Sequence, residues 1–177
     1  MRFINNQKNR IVTLVIVCTI VFSPIIFAET IVIAPSDNSQ EQLQEAHILA
    51  NPGDIIQLTN GTYNLEDSIS LDIDQITIQG NGHERTVLNF SDQKSGAQGL
   101  MVTSDEVILK NFAVLDSKGD AIKVKGSNGI SFINVRTEWS GGPKSSNGAY
   151  GLYPVESKNV LIDGCIAIGA SDAGIYV

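Results

Sequence analysis

The sequence predicts an all-β fold, a parallel β-helix in which one short phrase recurs on successive coils of a solenoid. The four copies of the phrase occupy residues 99–102, 121–124, 151–155 and 174–177. The residue numbers of Leu100, Ile122, Leu152 and Ile175 place successive copies 22, 30 and 23 residues apart. A repeat of about 20 to 50 residues is typical of solenoids, in which each unit stacks on the next.

A second ladder of residues supports the same prediction. Its equivalent positions are Ile76, Val107, Ile130 and Val160. The residue four positions later is in turn Gly80, Asn111, Asn134 and Gly164. Gly and Asn adopt a positive φ most readily, so we expect a left-handed bend at this place in every coil. The residues after the bend are predicted to enter the core: Phe112, Val135 and Cys165.

The N-terminus has the pattern of a signal peptide. Arg2, Lys8 and Arg10 precede an apolar run of 17 residues, 11–27, and the small residue Ala28 follows it. Cleavage after Ala28 divides the chain into a signal peptide, residues 1–28, and a β-helix domain, residues 29–177. An uncleaved membrane anchor is the alternative, because the run is just within reach of a membrane span. We therefore expect an exported protein, periplasmic or secreted.

The charge of the mature chain restricts its partners. Removing residues 1–28 leaves 9 cationic and 19 anionic side chains, a net charge of −10. An acidic surface disfavours nucleic acid and anionic membranes, so we expect membrane contact only through an uncleaved N-terminal segment. A polysaccharide or another glycan is a possible partner. Cys165 is the single cysteine of the mature chain, so no disulfide forms within it.

A short strand at residues 31–33 is followed by a predicted amphipathic helix. Ser39 is the predicted N-cap, and Leu43 and Ala46 belong to an apolar stripe with helical spacing. Pro52 and Gly53 end the helix. Because the terminal unit of a solenoid must hide its open core, we expect this helix to cap the first coil.

Short strands without intervening helices follow, at residues 55–58, 69–71 and 76–78. A doubly wound α/β fold would need crossover helices between them, which favours the coils of a β-helix. Two insertions, at residues 81–98 and 140–149, come just before copies of the phrase. We expect both to leave the same corner and to form walls beside one stack of strands.

Alternation along the recurring phrase predicts one row of outward side chains. Leu100, Ile122, Leu152 and Ile175 face inward, so their neighbours face outward: Met101, Lys123, Tyr153 and Tyr176. Tyrosine rings stack on apolar sugar faces, and hydroxyl and ammonium groups reach sugar substituents, so Lys123, Tyr153 and Tyr176 are candidate substrate-binding residues. The alternative is an ordinary solvated face with stacking between coils.

Three further residues lie near this row. Asp120 and Asp172 precede two of the strands and are candidates for acid/base groups or cation ligands, although turns are the usual place for Asp. They are one residue out of register with each other. Trp139, at the base of the second insertion, is predicted either to stack on a ligand as a lid or to pack the base of the loop.

No pattern typical of a metal or cofactor site is present. His47 lies on the predicted helix and His83 in a loop, so there is no His/Cys metal spacing and no nucleophile triad. We expect no metal from these residue types and no cofactor, with a calcium ion left open. The catalytic residues, if any, are unknown from the sequence.

Several segments resemble right-handed parallel β-helix proteins of the pectate-lyase-like superfamily. Residues 45–56 and 60–63 resemble the cap helix and first coil of these proteins. Residues 119–123, 139–143, 147–154 and 171–177 resemble one group of exported bacterial members that has no settled activity. The resemblance implies a right-handed coil. The paired aspartates of pectin hydrolases and the Asp-Pro-His-Asp motif of alginate epimerases are absent, so the resemblance assigns no catalytic residue.

These observations predict an exported carbohydrate-binding or polysaccharide-modifying protein. If it is an enzyme, we expect a lyase or epimerase reaction in which Lys123 or a tyrosine moves a proton of a uronate. The alternative is a non-catalytic scaffold of the cell envelope or a protein-interaction module. Because Val177 falls inside a repeat, we expect the β-helix to be truncated at this end and the domain to be incomplete.

Overall fold

The computed structural model describes residues 28–177. The predicted signal peptide and its alternative, a membrane anchor, concern residues that lie outside this range, apart from Ala28. In the range that is described, no helix is both long enough and apolar enough to cross a membrane.

Three parallel sheets and one helix form the described part of the chain. Sheet I contains β1 (Thr30–Ile33), β2 (Ile55–Leu58), β5 (Thr77–Gln79), β8 (Val107–Lys110), β11 (Asn128–Ile133) and β14 (Lys158–Asp163). Sheet II contains β3 (Gly61–Asn64), β6 (Thr86–Asn89), β9 (Ala113–Leu115), β12 (Arg136–Glu138) and β15 (Ile166–Ile168). Sheet III contains β4 (Asp67–Leu71), β7 (Ser95–Val102), β10 (Asp120–Lys125), β13 (Tyr150–Val155) and β16 (Ala173–Ile175). The chain visits the three sheets in turn, and this architecture is a right-handed parallel β-helix.

The registers of the strands confirm both predicted ladders. In sheet III, Ile122 pairs with Leu100 on one side and with Leu152 on the other, and Leu152 pairs with Ile175. In sheet I, Ile130 lies between Val107 and Val160. The recurring phrase therefore marks equivalent places on successive coils, as predicted.

The interior of the coil is a continuous apolar column. Leu100, Ile122 and Leu152 are completely buried, and so are Phe112 and Val135 after the bend. Burying a side chain of this size stabilises the fold by about 1.5 to 3 kcal/mol. The third residue predicted to follow the bend, Cys165, packs against the core in a partly buried position. Burial raises the pKa of its thiol, which favours the protonated form.

The predicted left-handed bend is confirmed in three coils and is wrong in one. Asn111, Asn134 and Gly164 have φ values of 61°, 52° and 61°. The amide of Asn134 donates a hydrogen bond of 2.9 Å to the Asn111 side chain, so the bends are linked from coil to coil. Gly80 does not have a positive φ. Glycine is needed there for space, because a Cβ would lie 2.3 Å from the Asn111 carbonyl oxygen.

Helix α1 (Ser39–Leu49) covers the first coil, as predicted, and its glutamines complete the open edge of β4. Gln44 donates to the Ser70 carbonyl (3.2 Å) and accepts from the Ser70 N–H (3.1 Å). Gln40 accepts from the N–H groups of Glu66 and Asp67. The side chains of the cap thus replace the backbone partners that a further strand would supply.

Ser39 is not the N-cap that the sequence predicts. The helix has Asn38 at the N-cap, without a side-chain hydrogen bond, and Ser39 is its first residue. The Ser39 hydroxyl instead donates to the Ser36 carbonyl (2.7 Å) and accepts from the Ser36 N–H (2.9 Å). Its hydrogen-bonding capacity is therefore used on the preceding turn.

The prediction that residues 81–98 form a single inserted loop is wrong. Strand β6 lies within it and pairs with β3 and β9, and β7 begins before its end. Residues 81–85 connect β5 to β6 at one corner, and residues 90–94 connect β6 to β7 at the next. Only the second connection, residues 90–94, lies at the same corner as residues 140–149, because both connect sheet II to sheet III.

Candidate ligand-binding face

The outward side of sheet III carries the predicted row of side chains. Lys123 pairs in register with Met101 and with Tyr153, and Tyr176 follows Ile175, the partner of Leu152. The three tyrosines Tyr150, Tyr153 and Tyr176 group together on this side. We call them, with Lys123, Asp120 and Asp172, the tyrosine face.

The three rings are in mutual contact. The ring centroids of Tyr150 and Tyr153 are 4.4 Å apart, and those of Tyr153 and Tyr176 are 5.7 Å apart. Tyr150 and Tyr176 stack with a centroid distance of 5.1 Å and an interplanar angle of 16°. The result is a continuous aromatic surface that spans two coils.

Tyr150 is the member that the sequence missed. It lies two residues before the inward Leu152, so strict alternation would place its side chain inside the coil. It is the first residue of β13, where the chain has just entered the strand, and its ring turns outward. The signal that could have found it is its position next to a long loop, where alternation is weakest.

The chain reaches Tyr150 through a close contact between coils. A Cβ on Gly148 would lie 1.8 Å from the Gly119 carbonyl oxygen, so only glycine fits at this position. The backbone N–H of Tyr150 then donates to Oδ1 of Asp120 on the coil below, at 3.2 Å. Backbone contacts therefore hold the start of β13 against the start of β10.

Lys123 lies beside the rings and close to one carboxylate. Its Nζ atom is 5.1 Å from the centroid of the Tyr153 ring and 3.9 Å from Oδ2 of Asp120. The Lys123 side chain is 29% exposed. The ammonium group is thus shared between an aromatic ring, a carboxylate and solvent, and it remains accessible to a ligand.

The two predicted aspartates both contact Tyr150. Burial raises the pKa of Asp120, and the hydrogen bond from the Tyr150 N–H and the charge of Lys123 partly offset this effect. A hydrogen bond to Asp172 raises the pKa of Tyr150, and burial and the negative charge of Asp172 act in the same direction. Asp120 therefore interacts with the backbone of Tyr150 and Asp172 with its side chain, although the two aspartates are far apart in the sequence.

Trp139 is not part of this surface. Its ring is 5% exposed, and its Nε1 donates a hydrogen bond of 2.7 Å to the Ser117 carbonyl. Of the two roles that the sequence left open, the structure supports packing at the base of the loop. The prediction that Trp139 stacks on a ligand is wrong for this conformation, because the indole lies inside the coil.

The tyrosine face is open to solvent at its end on the last coil. Tyr176 is 51% exposed. The hydrogen bonds of the loop at residues 140–149 tie it to its own corner, through Ser140 to Asp116 and through Asn147 to Gly169. Three cavities of about 400 to 490 Å³ lie around α1, and none of them is lined by a residue of the tyrosine face.

The groups on this face suit binding more than covalent chemistry. Tyrosine hydroxyls and the Lys123 ammonium donate hydrogen bonds, carboxylates accept them, and the rings offer apolar area. Within the range that the structure describes, no group of three or more His, Cys, Asp or Glu side chains is arranged to hold a metal ion.

Comparison with known proteins supports the fold. No protein-family model and no curated protein matches the chain. Among solved structures it is similar to the crystal structure of a pectin methylesterase mutant in complex with a hexasaccharide, with a TM-score of 0.52 and 12% sequence identity. The similarity covers 82% of this chain and 50% of that one, so the chain spans about half the length of that protein. The chain thus shares the right-handed parallel β-helix fold that its repeats and its resemblance predicted.

Proposed function

We propose that the chain is an exported carbohydrate-binding β-helix and that the tyrosine face is its glycan-binding surface. The observation that carries the proposal is the continuous surface of three tyrosine rings, with centroids 4.4 to 5.7 Å apart, beside an accessible lysine. Sugar rings present apolar C–H faces that stack on such surfaces, while their hydroxyls bond to phenols and carboxylates. The similar fold of a pectin methylesterase bound to a hexasaccharide is consistent with this role.

The charges of the face favour a neutral or amino-substituted glycan. Asp120 and Asp172 contribute two carboxylates, whereas Lys123 contributes one ammonium group and already lies 3.9 Å from Asp120. The chain as a whole carries a net charge of −7. A polyuronate would be repelled at long range and would meet one cation that is already paired.

One phenol of the tyrosine face, that of Tyr150, is unsuited to act as a base. Proton abstraction from a uronate needs a base that is deprotonated near neutral pH. The hydrogen bond to Asp172 raises the pKa of Tyr150, so this phenol stays protonated and donates hydrogen bonds. The lyase or epimerase reaction expected from the sequence has no support from this group.

The test is a binding screen with matched variants. Isothermal titration of neutral, amino-substituted and uronate oligosaccharides is measured for the unchanged chain and for Tyr153→Ala and Tyr176→Ala. We expect each variant to weaken binding of the preferred glycan by about 5- to 150-fold, since stacking of a nucleic-acid base on one aromatic side chain contributes about 1 to 3 kcal/mol and a sugar face stacks in a similar way. Lys125→Ala is the control, because Lys125 is exposed on β10, the strand of Lys123, but is not a member of the tyrosine face.

A non-catalytic scaffold is the second candidate function, and one observation favours it. The tyrosine face is open to solvent at Tyr176, which suits a flat protein partner as well as a sugar. If no glycan binds, or if Tyr153→Ala and Tyr176→Ala bind glycan as well as the unchanged chain, the proposal of a glycan-binding surface is wrong and the scaffold is favoured.

A further inference from the structure

A second surface lies at the opposite end of the coil, where β1 forms the free edge of sheet I. In the part of the chain that the structure describes, β1 pairs with β2 alone. The Ile33 carbonyl accepts from Thr59 and the Glu29 carbonyl accepts from Ile55, both on the β2 side. Alternation of the parallel ladder therefore turns the N–H and C=O groups of Thr30 and Val32 away from β2.

An apolar groove runs along this free edge. It has a volume of about 450 Å³ and lies between β1 with the residues after it and helix α1. Its lining includes Val32, Ala34, Pro35, Glu45, Ala46 and Leu49. A free strand edge beside an apolar groove is the arrangement in which proteins bind an extended peptide as an additional strand.

Large apolar side chains are exposed around the groove. Val32, Ile48 and Leu49 are 63%, 61% and 65% exposed. The other large exposed apolar residues of the described chain lie between residues 161 and 177, in the last coil. A terminal unit that serves only as a cap has a polar outer face. The two exposed apolar side chains at the end of α1, Ile48 and Leu49, are therefore more than capping requires.

The charge around the groove identifies the kind of partner. Residues 28–84 contain ten Asp and Glu and no Lys or Arg. Glu45 lines the groove, and Glu41 lies on the same helix. A second copy of this chain that docked through its own groove would bring an equally acidic end against this one and would be repelled. A segment with lysine or arginine beside its apolar residues would be attracted.

We propose that this groove binds an extended peptide segment of another protein, in which apolar and cationic residues alternate, as a new strand on β1. The apolar side chains of the segment fill the groove beside Val32 and Leu49, and its cations lie against Glu45. Its backbone bonds to the free N–H and C=O groups of Thr30 and Val32. This site is independent of the tyrosine face and of the proposed glycan.

The test uses fluorescence anisotropy with a labelled octapeptide of alternating lysine and valine and the full chain. We expect saturable binding with a Kd below about 1 mM that weakens as salt is added. A glutamate–valine octapeptide should not bind, and a lysine–valine peptide with N-methylated backbone amides should bind at least about tenfold more weakly. Binding of all three peptides with equal strength would overturn the proposal.

Variants locate the site. Leu49→Lys and Glu45→Lys should each weaken binding of the lysine–valine peptide by about tenfold or more, while Leu161→Lys, at a leucine that is 50% exposed in the last coil, should leave it unchanged. Equal loss in all three variants would overturn the assignment. Sedimentation velocity tests whether a second copy of the chain fills the groove instead. A dimer of the unchanged chain that dissociates in the Leu49→Lys variant would mean that it does.

Discussion

The inner and outer sides of sheet III use the same strands for different purposes. On β10, Ile122 is completely buried while the next residue, Lys123, has a side chain that is 29% exposed. The inner residue contacts only other parts of the coil, and the outer residue contacts an aromatic ring and solvent. Substitutions on the inner side should therefore change stability, and substitutions on the outer side should change binding, even between adjacent residues.

The largest expected effect is on the inner side. Ile122→Ala leaves a cavity between Leu100 and Leu152 and should lower the free energy of unfolding by about 3 to 4 kcal/mol. Urea unfolding followed by the fluorescence of Trp139, the single tryptophan, measures it. The affinity of the folded fraction for glycan should not change. A loss below about 1 kcal/mol would mean that the interior tolerates the cavity.

The interior also makes stability depend on pH. Burial lowers the pKa of His47 from 6.5 to about 4. The folded protein thus favours the neutral imidazole. The contribution of His47 to the free energy of unfolding is therefore complete above pH 6.5 and is lost as the pH falls toward 4. One pKa unit corresponds to about 1.4 kcal/mol, so the loss approaches about 3 kcal/mol. Urea midpoints measured from pH 7.5 to 4.5 should fall less steeply in His47→Leu, and parallel profiles would contradict this account.

A smaller effect is expected where an interior residue supports the loop beside the tyrosine face. Trp139→Phe removes the hydrogen bond to the Ser117 carbonyl and leaves this acceptor buried, at a cost of about 1 to 2 kcal/mol. The thermal midpoint by circular dichroism measures the loss. Because the indole is inside the coil, glycan affinity should stay within about twofold of the unchanged chain. A larger loss of affinity would mean that Trp139 reaches the ligand.

The smallest effect on stability is expected on the outer side. Lys123→Ala removes a partly exposed ion pair with Asp120 and should lower the free energy of unfolding by less than about 1 kcal/mol. Glycan affinity should nevertheless fall, because a hydrogen-bond donor beside Tyr153 is lost. Calorimetric titration and urea unfolding of the same sample separate the two quantities. Loss of stability without loss of affinity would make Lys123 a structural residue.

Periodic features of this chain were predictable from sequence, and local exceptions were not. The equivalence of Leu100, Ile122 and Leu152, the outward row with Lys123 and Tyr153, and the capping helix all follow from repetition and alternation. The bends at Asn111 and Asn134 follow from the conformational preference of asparagine.

The missed features lie at strand ends and in loops, where contacts between coils override the pattern. Tyr150 turns outward at the first residue of its strand. Trp139 is buried, and its Nε1 donates a hydrogen bond to a carbonyl of a neighbouring coil. Position 80 requires glycine because a carbonyl of the next coil lies against it. The Ser39 hydroxyl donates a hydrogen bond to the carbonyl of Ser36, in the turn before the helix. Tyr150, Trp139 and Gly80 are in contact with another coil, whereas the Ser39 hydroxyl bonds within its own turn.

The pairing of every coil with its immediate neighbours has a mechanical consequence. Ile78 pairs with Ile56 on the coil before it and with Leu109 on the coil after it, 22 and 31 residues away. A force that pulls the two ends of the chain apart should therefore peel one coil at a time. At about 3.4 Å for each extended residue, each event lengthens the chain by about 75 to 105 Å before the coil's folded width is subtracted. Under tension the coils should unfold one after another, and a force–extension trace should show a series of discrete unfolding steps.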